Sequence, residues 1–262
     1  MIGEARVIAI VPARGGSKGV PRKNLVRLGG RTLLEHAIDA AHAVPLIDRV
    51  IVSTEDAEIA AAARAAGAEV HVRPPALATD ASKVIETLRH LCDTLLDPAG
   101  AGNAMLLLLQ PTSPLRRAAD VRACIERLAA GDCDSVATFT PSGLHPWQIW
   151  KIEGDRPRFF IDGADPWLPR QALPPAYRLS GAVYAFWRDN LRDPAKEILC
   201  GEIRAVIVPP EWSYDIDTPL DLAVVEAALA LAAARPSPGA HAGPASGGGL
   251  PARRTTDGGR DA

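Results

Sequence analysis

The chain is poor in cysteine, methionine and aromatic residues and carries almost no net charge. Its 262 residues include 4 Cys and 2 Met, 5% are aromatic, and the formal net charge is −2. The cysteines show no C-x-x-C spacing and no histidines at zinc-ligand spacing, which favours unpaired, mostly buried thiols in a reducing compartment. The small net charge gives no overall attraction to nucleic acid or to a membrane surface.

A long apolar segment is also missing. No run approaches the ~20 residues that a helix needs to span a bilayer. The N-terminus, with Glu4 and Arg6, has the pattern of a strand and not of a signal peptide. We therefore expect a cytoplasmic protein that binds neither membrane nor nucleic acid. The 262 residues, 47% of them apolar, suffice for one large α/β domain.

The most informative segment is a glycine-rich basic loop near the N-terminus. Apolar residues 7–11 predict a buried strand, and the following loop holds Arg14, Gly15, Gly16, Ser17, Lys18, Gly19, Arg22, Lys23 and Asn24. Glycines let backbone N–H groups close on an anion, which the cations neutralise. The loop is neither a Walker A motif, because no Gly-Lys-Ser/Thr closes it, nor a G-x-G-x-x-G fingerprint. It predicts a cradle for a nucleoside polyphosphate, the alternative being an ordinary charged surface loop.

Strand and helix patterns alternate along most of the chain. Strands are predicted at 50–53, 70–72, 105–109, 135–139, 181–186 and 205–208, and helices at 55–66, 82–96, 118–130 and 219–233. This alternation predicts a mostly parallel sheet with helices on both faces. The irregular, Pro- and Trp-rich stretch 141–175 predicts an excursion from the sheet, such as a hairpin arm. Residues 235–262 have almost nothing to bury and are expected to be a disordered tail.

Further candidates for chemistry follow predicted strands or extended segments. Gln110 comes directly after a buried strand, and ligands of open α/β sheets bind beyond the carboxyl ends of strands. The alternative for this segment is a stiff turn that caps a helix. Asp215 and Asp217 lie on one side of an extended segment and suit Mg²⁺ together with phosphate oxygens. Asp217 could instead only cap the helix that follows.

Two interpretations apply to each of three arginines. Arg170 and Arg178 could clamp a carboxylate bidentately, or form ordinary surface ion pairs. Arg73, followed by Thr79, Asp80 and Ser82, could reach a bound nucleotide, or this segment could be a capped helix start.

Taken together, these segments resemble the acylneuraminate cytidylyltransferases, the CMP-N-acetylneuraminic acid synthetase family. The matching segments are VPARGGSKG (11–19), PRKN (21–24), RVIVSTEDAEIA (49–60), LATDAS (77–82), LLQPTSPLR (108–116), RQALPPAYRLSGAVY (170–184) and DIDTPLDL (215–222). The resemblance implies a single α/β nucleotidyltransferase domain over residues 1–234, with a Rossmann-like sheet and a dimerisation arm near 141–175 in a homodimer. It also implies a reaction in which CTP and a nonulosonic acid give a CMP-sugar and pyrophosphate, with Mg²⁺.

The resemblance further implies roles for individual residues. The catalytic residues would be Lys23, Arg14 and Asp215. The nucleotide would be held by Arg14, Gly16, Ser17, Lys18, Asn24, Arg73 and Ser82. The sugar would be bound by Gln110, Arg170, Arg178 and Tyr184, and Mg²⁺ by Asp215 and Asp217. The attacking group would be the anomeric hydroxyl of the sugar, and its target the α-phosphate of CTP.

Two positions on the sugar side of the motifs depart from the family pattern. Ser180 stands where many members have Asn, and Gln148 where Lys is common. These departures argue against N-acetylneuraminate itself as the sugar, with legionaminate, pseudaminate and a deaminated nonulosonate as the alternatives. Competing hypotheses are a CMP-Kdo synthetase, a metal-dependent glycosyltransferase of similar fold, and a nucleotide-binding protein without activity.

Overall fold

The computed structural model describes residues 5–96 and 104–234, so the predicted tail 235–262 lies outside the described residues. The strands are β1 (Val7–Pro12), β2 (Arg27–Leu28), β3 (Arg31–Thr32), β4 (Arg49–Thr54), β5 (Glu69–Val72), β6 (Met105–Leu108), β7 (Ser135–Pro141), β8 (Trp150–Glu153), β9 (Arg156–Phe159), β10 (Tyr177–Trp187) and β11 (Ile203–Ile207). The α-helices are α1 (Leu33–His42), α2 (Ala57–Ala65), α3 (Val84–Leu91), α4 (Ala118–Ala129) and α5 (Pro219–Ala234). Short 3₁₀ turns occupy Lys23–Leu25, Pro75–Leu77, Pro146–Gln148, Arg170–Ala172, Arg188–Arg192 and Pro210–Trp212, and a π-helical turn Cys92–Leu96.

A seven-stranded sheet forms the centre, in the order β11-β7-β10-β6-β1-β4-β5. Strand β1 pairs in parallel with β4 and β6, and the β4–β5 and β7–β11 pairs are also parallel. Only β10 runs against its neighbours, β6 and β7. The prediction of a mostly parallel sheet is confirmed. The carboxyl ends of β1, β4, β5, β6, β7 and β11 therefore lie along one edge, where ligands of such folds bind.

Alternate residues of the central strands feed two apolar cores. Val7, Ala9 and Val11 pack with α1, α2 and α4, whereas Ile8 and Ile10 face α3. Because successive side chains of a strand point to opposite sides, these two cores lie on opposite faces of the sheet. Helices cover both faces, as predicted.

Helix α1 is missing from the sequence-based prediction, although its start carries a recognisable signal. Thr32 and Glu35 form a reciprocal capping box, in which the Glu35 amide donates to Thr32 Oγ1 over 3.1 Å. Other helix ends differ by small amounts. Asp56 caps α2, which therefore begins at Ala57, two residues later than predicted. The predicted helix 82–96 is α3 from Val84 to Leu91, followed by the π-helical turn.

The stretch between β7 and β10 leaves the sheet, as the prolines predict. Within it, β8 and β9 pair in antiparallel fashion with each other and form a separate two-stranded sheet. On its return, β10 is irregular between Leu179 and Tyr184, and Gly181 there adopts a left-handed φ of +77°. This bulge reshapes the sheet beside the end of β6.

None of the helices in the described residues has the length and apolar character of a membrane span. All four cysteines fall within the described residues, and each is a free thiol.

Candidate active site

The loop after β1 is braced by the segment between β4 and α2. The Gly15 amide donates to Glu55 Oε1 over 2.7 Å. Arg22, in a left-handed conformation with φ of 53°, forms ion pairs with Asp56 and Glu58. The Asn24 side-chain amide donates to the Arg14 carbonyl over 2.8 Å. These contacts brace the loop against neighbouring segments, and the Gly15 amide is used as a donor to the Glu55 carboxylate.

This loop forms one wall of a cleft of about 500 Å³ at the carboxyl edge of the sheet. Most of the predicted site residues line the cleft: Arg14, Ser17, Lys18, Lys23, Asn24, Arg73, Ser82, Gln110 and Asp217. They come from the ends of β1, β5 and β6 and from the segments before α3 and α5. The structure therefore brings together residues separated by up to about 200 positions of the chain.

Lys23 joins the first loop to the segment before α5. Its Nζ donates to the Ile216 carbonyl over 2.8 Å and lies 3.0 Å from Asp217 Oδ1. Gly19 reinforces this junction, since a Cβ at position 19 would collide with the Asp217 carbonyl. The absence of a side chain at Gly19 thus permits the approach that places Lys23 beside Asp217.

Arg73 is a buried cation at the back of the cleft, with only 6% of its surface exposed. Its Nε donates to Glu55 Oε2 over 3.2 Å, and its Nη1 to Thr87 Oγ1 over 3.3 Å. Burial lowers the pKa of Arg73, and the Glu55 charge opposes that shift. Glu55 therefore connects the buried arginine to the loop after β1, a role that sequence patterns did not indicate.

Two more cations, Arg14 and Lys18, converge on one carboxylate. Asp80 Oδ1 lies 2.8 Å from Arg14 Nη2, and Asp80 Oδ2 lies 2.8 Å from Lys18 Nζ. These contacts, led by the Lys18 hydrogen bond, lower the pKa of Asp80, which is therefore ionised at neutral pH. Asp80 faces the first loop across the cleft.

A second group of residues surrounds the β10 bulge. A Cβ at Gly181 would lie 3.8 Å from Gln110 Oε1, so this amide lies beside the bulge. Burial, followed by the charge of Asp215, raises the pKa of the Tyr184 hydroxyl. Neither Tyr184 nor Asp215 lines the main cleft. Gly16 also lies outside that lining.

Arg116 holds this second group together. It is 6% exposed, its Nε donates to the Ala182 carbonyl over 2.5 Å, and its Nη2 to the Gln110 carbonyl over 2.6 Å. Burial lowers the pKa of Arg116 to about 9, against the attraction of Asp215. Its Nη1 is buried with no hydrogen-bond partner among the described residues. Arg116 ends the LLQPTSPLR segment, and its sequence pattern predicted no role for it.

The remaining predicted sugar-side residues are dispersed. The Arg178 Nη2 donates to the Ser213 carbonyl over 3.2 Å, two residues before Asp215. Arg170 lies in a separate cleft of about 220 Å³ beside Gln148. Ser180 is buried in the bulge and donates to Thr138 Oγ1 over 2.6 Å, so its side chain supports the sheet.

Metal-ligating side chains are sparse in the described ranges, 5–96 and 104–234. No cluster of three or more His, Cys, Asp or Glu side chains occurs there in a metal-binding arrangement. Asp215 and Asp217 are both exposed.

A mainly parallel sheet with a basic, glycine-bordered cleft at its carboxyl edge defines a nucleotide-binding α/β domain. Residues 8–143 match the family model described as Cytidylyltransferase. The chain belongs to this cytidylyltransferase family.

Relatives with the same sequence pattern carry names of nonulosonic acid enzymes. An N-acylneuraminate cytidylyltransferase of Streptococcus agalactiae serotype V is 31% identical over 214 residues, covering 80% of this chain and 50% of that protein. A CMP-N,N'-diacetyllegionaminic acid synthase of Legionella pneumophila is 32% identical over 244 residues, covering 86% of this chain and 97% of that protein. The chain thus spans half the length of the streptococcal relative and nearly all of the Legionella one.

Solved structures agree on the fold. A CMP:2-keto-3-deoxy-manno-octonic acid synthetase complexed with CTP aligns with a TM-score of 0.66 at 19% identity, over 87% of this chain and 100% of that one. A 4-diphosphocytidyl-2C-methyl-D-erythritol synthase from Anaerococcus prevotii aligns with a TM-score of 0.60 at 18% identity, over 87% of this chain and 98% of that one. At these identities the likeness shows the fold alone.

Proposed function

We propose that the chain transfers CMP from CTP to the anomeric hydroxyl of a nonulosonic acid and releases pyrophosphate. The cleft itself carries the proposal, because Arg14, Lys18, Lys23 and Arg73 line it. Four cations in one cleft suit a triphosphate and a leaving pyrophosphate. The names of the sequence relatives support a nonulosonic acid as the acceptor.

The nucleotide is proposed to occupy the main cleft. The triphosphate would be held by Arg14, Gly16, Ser17 and Lys18, and the cytosine and ribose by Asn24, Arg73 and Ser82. Asn24 and Ser82 support this assignment because both already hold backbone of the cleft wall in place, Asn24 at Arg14 and Ser82 at Ala76. Pre-positioned groups of this kind reduce the cost of ordering a ligand.

In the proposed reaction, the hydroxyl oxygen of the sugar forms a bond to the α-phosphorus of CTP. The bond from that phosphorus to the oxygen bridging to the β-phosphate breaks, the hydroxyl proton is lost, and pyrophosphate leaves. Negative charge builds on the phosphate oxygens, and the Lys23 ammonium is proposed to neutralise it. Positioning and charge stabilisation are the main requirements of such a transfer.

The sugar is proposed to bind beside the β10 bulge, next to the main cleft. Gln110 joins the two regions, since it lines the cleft and its amide oxygen lies beside Gly181. Tyr184 would contact the sugar from the same strand. Arg170 and Arg178 are proposed to approach the sugar carboxylate, although Arg178 also holds the Ser213 carbonyl.

Asp215 and Asp217 are proposed to hold Mg²⁺. The donor set fits, because both carboxylates are exposed, and Mg²⁺ binds through one or two carboxylates together with substrate phosphates and waters. The ion would supply charge neutralisation at the phosphate oxygens when bound. Asp217 also orients Lys23 through their ion pair.

A homodimer built on the arm at about 141–175, which includes the β8–β9 hairpin, is a further part of the proposal. Ile152, Phe160 and Trp167 are 64%, 64% and 83% exposed, an unusual surface for side chains of this size. We expect Ile152→Glu to convert a dimer to a monomer in sedimentation velocity. Ile203→Glu, on the 41% exposed Ile203 of the edge strand β11, is the matched control. A cytoplasmic location is also proposed, with the free thiols in support.

Pyrophosphate release by the purified chain tests the proposed reaction. CTP and Mg²⁺ would be supplied with N-acetylneuraminate, legionaminate, pseudaminate, the deaminated nonulosonate or Kdo. Turnover with one nonulosonate names the acceptor, and turnover with Kdo alone favours the CMP-Kdo alternative. Lys23→Ala and Asp215→Ala should abolish turnover. Lys196→Ala, which removes the same charge outside the cleft, should retain it. If the chain binds CTP but turns over none of these acids, the proposal is contradicted.

A further inference from the structure

Asp80 is presented to the cleft by a turn that is itself well anchored. The turn lies between the 3₁₀ turn Pro75–Leu77 and α3. The Thr79 amide donates to Ser82 Oγ over 3.1 Å, and Ser82 Oγ donates to the Ala76 carbonyl over 2.9 Å. Asp80 therefore projects from a fixed backbone toward the loop after β1.

The carboxylate of Asp80 uses both its oxygens on the two cations best placed for a triphosphate. Oδ1 lies 2.8 Å from Arg14 Nη2, and Oδ2 lies 2.8 Å from Lys18 Nζ. The main chain of Arg14 is in turn held by Asn24. A single anion thus occupies the two cations in the way that a phosphate group would.

We infer that Asp80 is an internal anion that orders Arg14 and Lys18 and that the phosphates of an incoming nucleotide must displace. This inference rests on the proposed function. A triphosphate carries several negative charges and can replace both ion pairs. Asp80 therefore lowers the affinity for a phosphate ligand that binds these two cations.

The exchange sets the sign of the expected effect. If Asp80 served only to bind the nucleotide, its removal would weaken the binding of CTP. A carboxylate that competes with phosphate weakens binding, so its removal strengthens binding. Exposed ion pairs contribute modestly and are screened by salt, so the gain is on the order of three- to tenfold at low ionic strength.

Calorimetric titration of the full chain with CTP in EDTA tests the sign. We expect Asp80→Asn to lower the Kd for CTP about three- to tenfold, and this gain to shrink at high salt. Asp132→Asn is the matched control. Asp132 pairs with Arg127 and Arg204 at the opposite edge of the sheet, so this variant should leave the Kd unchanged. A Kd that rises in Asp80→Asn overturns the inference.

A double-mutant cycle shows whether the effect passes through the ion pairs. In a Lys18→Ala background, Asp80→Asn should give a smaller gain, because one of its two cations is gone. An undiminished gain would mean general charge repulsion and would overturn the exchange. A titration in Mg²⁺ completes the test, since a loss of affinity in Asp80→Asn confined to Mg²⁺ would make Asp80 a metal ligand and overturn the inference too.

The outcomes separate this inference from the proposed function. Equal CTP binding by wild type and Asp80→Asn overturns only the role of Asp80. Failure of both proteins to bind CTP, in EDTA and in Mg²⁺ alike, overturns the role of Asp80 and the proposed function together.

Discussion

Removal of the Glu55 side chain should destabilise the protein well beyond the loss of one surface charge. Glu55 accepts the Gly15 amide over 2.7 Å and the Arg73 Nε over 3.2 Å. Its side chain is 19% exposed and that of Arg73 only 6%. In Glu55→Ala, Arg73 would keep its hydrogen bond to Thr87 but lose its carboxylate partner. The Gly15 amide would lose the acceptor that Glu55 provides.

The magnitude follows from the burial of Arg73. Removal of one partner of a fully buried ion pair costs about 3–5 kcal/mol, because the other charge stays buried without compensation. Glu55 retains some contact with water, which places the expected loss at about 2–3 kcal/mol. For a domain of this size, each kcal/mol lowers Tm by about 2–4 °C, so the expected decrease is about 4–12 °C.

Thermal unfolding and urea titration measure this loss, with two matched variants. Glu58→Ala removes a glutamate three residues away whose side chain is 71% exposed and pairs with Arg22, so it should cost less than about 0.5 kcal/mol. Glu55→Ala combined with Arg73→Met should be more stable than Glu55→Ala alone, because no charge then remains buried. If Glu55→Ala and Glu58→Ala unfold together, the reasoning is refuted.

Three other predictions concern separate parts of the structure. Gly19→Ala should lower Tm, because the added Cβ would collide with the Asp217 backbone. Gly16→Ala should leave Tm unchanged, because no atom lies within 4 Å of the added Cβ. Scanning calorimetry of the two variants measures the difference. Burial lowers the pKa of His71 to about 4, so the folded state binds fewer protons than the unfolded state. The protein should therefore lose stability as the pH falls from about 6.5 toward 4. Urea titrations at several pH values should show a weaker pH dependence in His71→Gln. Arg116→Lys removes the guanidinium that donates to two carbonyls, and steady-state kinetics should show a higher KM for the sugar acid with an unchanged KM for CTP.

Sequence patterns located the sheet and most of the cleft because both depend on local signals. The apolar strand before the first loop and the run at β6 needed only hydrophobic patterning and the rule that ligands bind at carboxyl ends of strands. Helix α1 could also have been found, since the pattern Thr32-Leu33-Leu34-Glu35 is a capping box before an apolar run. The antiparallel direction of β10 could not be predicted from the sequence, because side chains alternate in the same way in parallel and antiparallel strands.

The carboxylates of the site were harder to predict than its cations. Lys18 and Arg14 stand out in a glycine-rich loop, but Asp80 and Glu55 look like ordinary polar residues before a helix. Their partners lie at sequence separations that no periodicity reports, and only the fold brings them to the same cleft. Arg116 was hidden for the same reason, since its partners are carbonyls at the end of β6 and in the β10 bulge.

These pairs allow a chain with a net charge of −2 to hold several cations in one cleft. The cations that line the cleft are each matched with a carboxylate from another segment, such as Lys23 with Asp217 and Arg73 with Glu55. Matched pairs keep the cations ordered without a large local excess of positive charge, which would repel itself and attract unrelated polyanions. The pairs differ in exposure, because the Lys18–Asp80 pair is open to solvent and the Arg73–Glu55 pair is mostly buried. Under the proposed function, Arg73 would meet the nucleotide while it keeps Glu55 as its partner, whereas Lys18 would exchange Asp80 for phosphate.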